Sequence, residues 1–150
     1  MVACRGVRGA TTCEGNTREA ILTATRELLT QIIERNGIVI DDIASVFFTT
    51  SSDLTAEFPA VAARELGWNH VAMLCAHEMD VPHGLRYCIR VMIHWNTEKR
   101  PEEIHHVYLH GAVHLRPDWL EEGKAMRLWR DMDNVALEPA AESDDKEVRK

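Results

Sequence analysis

Apolar residues recur along this chain in two rhythms, and the changes between them mark out its elements. Val2, Cys4 and Val7, interleaved with small residues, predict a first strand over Met1–Thr12 that runs into a loop. Ile21, Ala24, Leu28 and Ile32, with Leu29 and Ile33 beside them, keep a helical spacing. Asn16 followed by Glu19 has the form of a capping box at the start of that helix, and Asn36-Gly37 is a stop. Ile43–Thr50 carries Val46, Phe47 and Phe48 together and predicts a buried strand, since β-branched and aromatic side chains pack well on a pleated surface. Polar Ser51, Ser52 and Asp53 end it. Pro59 suits a first helical position, Ala60–Leu66 continue as a short helix, and Gly67 closes it. Val71–Cys75 is the next strand.

After a turn opened by Gly84, Ile89, Val91, Ile93 and Trp95 alternate with Cys88, Arg90, Met92 and His94, so Cys88–Trp95 reads as a strand with two different faces. His106–Leu109 predicts a last short strand. The order is βαβαβββ, an α/β fold built on a mixed sheet with two helices. Beyond Arg116-Pro117 the pattern changes. Asp118 with Glu121 is placed to cap another helix, in which Ala125, Leu128, Trp129 and Met132 recur at helical spacing. The charged stretch from Glu138 onward has no apolar pattern and is expected to be mobile. The expected organisation is therefore a domain over 1–118 and a tail over 119–150, with an amphipathic helix over about 119–133.

Composition narrows the picture. At 150 residues, 45% hydrophobic and 27% charged, the chain is long enough for one soluble domain with a real core. No apolar run approaches the ~20 residues of a membrane-spanning helix, and the N-terminus lacks a signal-peptide pattern, so a cytoplasmic protein is expected. Cys4, Cys13, Cys75 and Cys88 form no C-x-x-C pair and read as reduced thiols. A net charge of -7 disfavours nucleic acid and anionic membrane surfaces as partners. Yet every basic residue through position 120 except Lys99 is arginine. Arginine's rigid fork suits two-point contact with carboxylates.

Arg90 is the sharpest anomaly: a guanidinium in the middle of an otherwise apolar strand. Left unpaired and buried it would cost several kcal/mol (order of magnitude), so something anionic must meet it. On the residues alone, pairing with Glu78 or with an interface carboxylate is as good a reading as a functional one.

Five stretches bear on that choice. Arg5-Gly6-Val7-Arg8-Gly9-Ala10-Thr11-Thr12, Asp53-Leu54 with Phe58-Pro59-Ala60, Cys75-Ala76-His77-Glu78-Met79-Asp80-Val81, Cys88-Ile89-Arg90-Val91-Met92, and His106-Val107-Tyr108-Leu109 with Leu115-Arg116-Pro117-Asp118 resemble, in order, the monofunctional chorismate mutases of the Bacillus type. That resemblance implies a pseudo-α/β-barrel assembled as a homotrimer, with sites at subunit interfaces. It implies conversion of chorismate to prephenate by a pericyclic rearrangement in phenylalanine and tyrosine synthesis, with no cofactor and no metal.

The residue types fit that chemistry, because two substrate carboxylates must be gripped while the reactive conformer is held. By the resemblance, Arg90 supplies a cation to the ether oxygen, on which negative charge develops. Arg8 and Tyr108 would hold the enolpyruvyl carboxylate, and Glu78 and Cys75 would meet the ring hydroxyl. Phe58, Ala60, Met73, Leu74 and Leu115 would wall the pocket, with Arg64 and Arg116 at its mouth. Val61 departs from the charged residue that many relatives carry there.

Rival readings remain at this stage. A trimeric enamine or imine deaminase-like protein shares a related architecture, and a non-catalytic metabolite sensor would bind the same ligands without turnover. A zinc site drawing on Cys75, His77 and Glu78 with His105, His106 and His110 lacks metal-ligand spacing.

Overall fold

The computed structural model of the chain describes residues 1–115; Arg116 and the helix expected over 119–133 lie outside the described residues. The elements follow the order read from the sequence: β1 (Ala3–Thr12), α1 (Arg18–Asn36), β2 (Ile43–Thr50), α2 (Ala60–Glu65), β3 (Ala72–His77), β4 (Cys88–Thr97) and β5 (Val107–Tyr108). They build one mixed five-stranded sheet in the order β3-β2-β4-β1-β5. Strand β4 runs antiparallel to both β1 and β2, whereas β1 is parallel to β5 and β2 to β3.

Alternation along β4 decides which face is covered. Ile89, Val91, Ile93 and Trp95 are all buried. Val91, Ile93 and Trp95 join Val7, Val46, Phe48 and Val107 from the same side of the sheet, together with Leu28, Leu29 and Ile32 of α1 and Ala60 and Ala63 of α2. Both helices therefore lie on one face. The other carries Phe47 and Leu74, 43% and 64% exposed, large apolar side chains of the kind that covering helices would bury.

Gly9 sets how closely α1 approaches the sheet. A Cβ there would stand 2.6 Å from Ile32 Cδ1 and 3.1 Å from the Val107 carbonyl oxygen, so only a bare backbone fits beneath the helix. The far end of α1 is held by Asn36. Its side-chain amide donates to the carbonyls of Ile32 (2.9 Å) and His105 (2.8 Å) and accepts from the His105 amide (2.8 Å). Gly37 then ends the helix in the left-handed conformation (φ 67°), as Asn36-Gly37 predicts.

Several boundaries differ from the sequence reading, each for a local reason. Thr17, not Asn16, caps α1, its hydroxyl accepting from the Ala20 amide at 3.1 Å. Asn16 stands one residue too early; its Oδ1 accepts instead from the amides of Thr55 and Ala56, both at 2.9 Å, and ties the loop before α2 to the start of α1. Pro59 occupies the cap position of α2 and not its first turn. Strand β3 runs two residues past Cys75, because Thr49 and Thr50 of β2 continue the ladder to Ala76 and His77. Likewise β4 reaches Thr97, paired with Ala3.

Candidate active site

The register places one transverse row of residues across all five strands. Tyr108 pairs with Ala10, Ala10 with Arg90, Arg90 with Thr49, and Thr49 with Ala76. Because side chains alternate along a strand, this row lies on the face away from the helices. One pleat along, Arg8, Met92, Phe47 and Leu74 form a second row on the same face. Arg8 and Arg90, 82 positions apart in sequence, are thereby set on adjacent strands and on one side of the sheet.

Glu78 follows directly on β3. Its amide donates to the Thr50 carbonyl at 2.8 Å, which holds it alongside β2. One carboxylate oxygen, Oε2, accepts from the Thr49 hydroxyl at 3.0 Å and lies 3.8 Å from Arg90 Nε. The other, Oε1, accepts from the Met79 amide at 3.2 Å. Beside them Cys88 is buried, and that burial pushes its thiol up in pKa against the opposing charge and hydrogen bond of Arg90. Arg90, Glu78 and Cys88 line a cleft of about 450 Å³ whose remaining wall is Ser51–Asp53 and the loop from Met79 to Arg86.

Asp53 anchors that loop. Its two carboxylate oxygens accept from the Tyr87 amide (3.2 and 3.1 Å), the Ser51 hydroxyl donates to Oδ1 at 2.5 Å, and Arg86 Nε lies 3.6 Å from Oδ2. Desolvation acts to raise the Asp53 carboxyl, but the Ser51 and backbone hydrogen bonds, with the charge of Arg86, hold it below its ordinary pKa. Tyr87 itself sits at φ 49°, a conformation uncommon for a side chain of that size. The carboxylate fixes this strained residue just where the loop enters β4.

Arg8 and Tyr108 are placed by β1 and β5. The Arg8 amide donates to Nδ1 of His106 at 2.9 Å, so a side chain takes the place of a ladder partner just ahead of Val107, and β5 begins one residue after the expected His106. Tyr108, only 3% exposed, packs with Ala10 and Ala112 and is flanked by Leu85 and Leu115.

The remaining expected residues gather elsewhere. Phe58 and Cys75 line a second cleft, of about 330 Å³, with Thr50, Leu54, Pro59 and His77. Burial raises the Cys75 thiol against a hydrogen bond from the Ala60 backbone and the charge of Arg64, which brings the start of α2 and its last turn close to β3. Met73 packs against the main core, whereas Leu74 points to the opposite face of β3. Among the described residues Arg90 and Glu78 thus line one cleft, and Phe58 and Cys75 a different one. Among the described residues no group of three or more His, Cys, Asp and Glu is arranged to hold a metal ion.

Sequence reasoning gave Thr49 and Asp53 no part in the site, and weighed His106 only as a ligand of a rival zinc site. Thr49 looks like an ordinary strand residue, and only its register opposite Arg90 gives it significance. The polar run Ser51-Ser52-Asp53 signals a turn, with nothing to announce that its carboxylate would hold a residue 34 positions away.

A family model described as chorismate mutase type I matches residues 4–119. The chorismate mutase AroH of Thermus thermophilus is 50% identical over 115 residues, 76% of this chain and 94% of that protein. The chorismate mutase AroH of Bacillus subtilis (strain 168) is 49% identical over 115 residues, 76% of this chain and 91% of that protein. Among solved structures, a chorismate mutase from Clostridium thermocellum Cth-682 shares 50% identity and a TM-score of 0.71, over 72% of this chain and 96% of that one.

Proposed function

The chain belongs to the chorismate mutase type I family, and we propose that the cleft holding Arg90 and Glu78 is where it isomerises chorismate to prephenate. The reaction is intramolecular: an ether C–O bond breaks as a C–C bond forms, with no proton, electron or group exchanged with the protein. What a protein can contribute is a compact substrate conformer and a field matched to the transition state. Arg90 provides the field. Its guanidinium addresses the ether oxygen as negative charge builds there, a preorganised donor aimed at the developing charge. Glu78 accepts from the ring hydroxyl and complements the positive charge left on the ring. Arg8 and Tyr108, on the neighbouring strands of the same face, take the enolpyruvyl carboxylate.

The observation that carries this reading is that Arg90, on the open face of the sheet, approaches Glu78 at 3.8 Å through Nε, an open contact. A closed two-point pair would have argued for a purely structural arginine. Phe58, Ala60, Arg64, Cys75 and Leu74 would form the complementary wall, to which Met73, its side chain turned into the core, could contribute only backbone. Since Phe58 and Cys75 line the other cleft, the complete site in this reading lies between copies of the chain in a homotrimer. The exposed Phe47 and Leu74 support that assembly, being apolar surface that a second sheet would bury. Family membership leaves no support for the deaminase-like alternative. Among the described residues no helix is long and apolar enough to cross a membrane, in keeping with a biosynthetic enzyme of the cytoplasm.

Loss of chorismate absorbance in the ultraviolet tests the reading. Turnover is expected with purified protein and no additive, and Arg90→Ala is expected to lower kcat by roughly 10²–10³, the usual cost of one preorganised donor. Near-normal kcat in that variant would remove Arg90 from the chemistry. If light scattering found a fully active monomer, the shared site would be excluded.

A further inference from the structure

Resting on the assignment of Arg90 and Glu78 above, we propose that Thr49 is a positioning residue that holds the Glu78 carboxylate off the Arg90 guanidinium, so that both stay available to chorismate. Thr49 and Arg90 face each other across β2 and β4. The Thr49 hydroxyl donates to Glu78 Oε2 at 3.0 Å, and it is that same oxygen which stands 3.8 Å from Arg90 Nε. Opposite charges at such a distance attract, and a carboxylate on a short tether beside an arginine fork closes to a two-point pair near 2.8 Å unless something holds it (~2.7–2.9 Å is the ordinary range). Two restraints act here. The Met79 amide holds Oε1 from behind, at 3.2 Å, and the Thr49 hydroxyl holds Oε2 from the floor of the sheet.

The consequence is specific. Without the hydroxyl, Glu78 collapses onto Arg90 and the free enzyme is stabilised in a form that chorismate must reopen. That cost raises the bound substrate and the transition state equally relative to free enzyme, so it appears in KM and leaves kcat nearly unchanged. A merely structural Thr49 would instead lower the amount of folded enzyme or kcat.

The experiment compares Thr49→Val, which keeps the β-branched shape a strand favours but cannot donate, with Thr49→Ser, which keeps the hydroxyl. Thr49→Val is expected to raise the KM for chorismate roughly three- to tenfold with kcat within about twofold of the parent, and Thr49→Ser to restore KM. In a Glu78→Gln background, where no ion pair can close, adding Thr49→Val should raise KM no further. An equal KM increase in both backgrounds, or failure of Thr49→Ser to rescue, would overturn the proposal. Absence of turnover in the parent protein would sink the chorismate reading instead. In that event the Glu78 carboxyl ¹³C resonance of the free protein still decides for Thr49: it moves in Thr49→Val and stays in Thr49→Ser if Thr49 sets the carboxylate, and an unmoved resonance in Thr49→Val rejects the idea.

Discussion

The backbone amide of Arg8 donates to Nδ1 of His106 across 2.9 Å, so the imidazole occupies a place that a strand carbonyl would otherwise fill. That bond needs Nδ1 bare of hydrogen, and it fixes β1 at Arg8, whose side chain we propose holds the substrate carboxylate. His106→Leu leaves the Arg8 amide without this acceptor in a partly buried position, at a cost of roughly 1–3 kcal/mol. Chemical denaturation should report that loss, and steady-state kinetics a raised KM for chorismate. His106→Gln, whose amide oxygen can accept, should recover part of both. Wild-type behaviour of His106→Leu in both measurements would show that the bond neither stabilises the fold nor places Arg8.

Gly9 predicts a packing limit one residue further along β1. Its hypothetical Cβ overlaps Ile32 Cδ1 and crowds Leu28 Cδ1 and the Val107 carbonyl oxygen, the last of which belongs to rigid backbone. Gly9→Ala must therefore push α1 outward, with the usual overpacking cost of about 1–3 kcal/mol. A lowered melting temperature is expected, together with weaker chorismate binding, since Arg8 is the adjacent residue. Unchanged stability would mean that α1 shifts freely over β1.

Asn36 carries a larger stability effect than its place at a helix end suggests. It is 2% exposed, and its side chain satisfies both the amide and the carbonyl of His105. Asn36→Leu keeps comparable bulk but strands both backbone groups, at about 1–3 kcal/mol for each. Asn36→Asp is also expected to be destabilising, since a carboxylate would face the Ile32 and His105 carbonyls to which Nδ2 now donates. Urea midpoints of the two variants within experimental error of the parent would show that water replaces the Asn36 amide.

How far the sequence reveals this molecule depends on which interactions are local. The alternation Ile89/Arg90/Val91/Met92/Ile93 identifies β4 and the face that Arg90 occupies, because side-chain direction repeats every two residues. The stripe from Ile21 to Ile32 identifies α1 for the same kind of reason. Its cap was less legible: Asn16 and Thr17 are both good capping residues, and the choice falls to Thr17 because Asn16 is engaged by amides 39 and 40 positions away. Site residues follow the same division. Arg90 stands out within its own strand, but the contact of Thr49 with Glu78 depends on the pairing of β2 with β3 and β4, and the separation of Phe58 and Cys75 from Arg90 on where α2 settles. No periodicity encodes such placements, and only the family resemblance could suggest the second group as site residues.

Asp53 ties part of the fold's stability to pH, and the sign follows from its environment. Hydrogen bonds from Ser51 and the Tyr87 backbone, with the charge of Arg86, outweigh desolvation and lower its pKa in the folded protein. A carboxylate favoured in this way contributes stability that is fully present above its unfolded value of ~3.9 and is lost as pH falls through the lower folded value. Asp53→Asn keeps the size and one acceptor oxygen but removes the charge. At neutral pH it should be less stable than the parent by roughly 1.5–3 kcal/mol, the scale of hydrogen bonds to a charged acceptor. That gap should hold down to about pH 4 and then shrink as the medium is acidified. Because Asp53 also fixes Tyr87 at the entry to β4, the variant should loosen the loop that walls the Arg90 cleft, seen as faster amide hydrogen exchange at Tyr87. A stability difference that stayed constant from pH 7 down to pH 2 would show that the charge of Asp53 contributes nothing and that shape alone holds the loop.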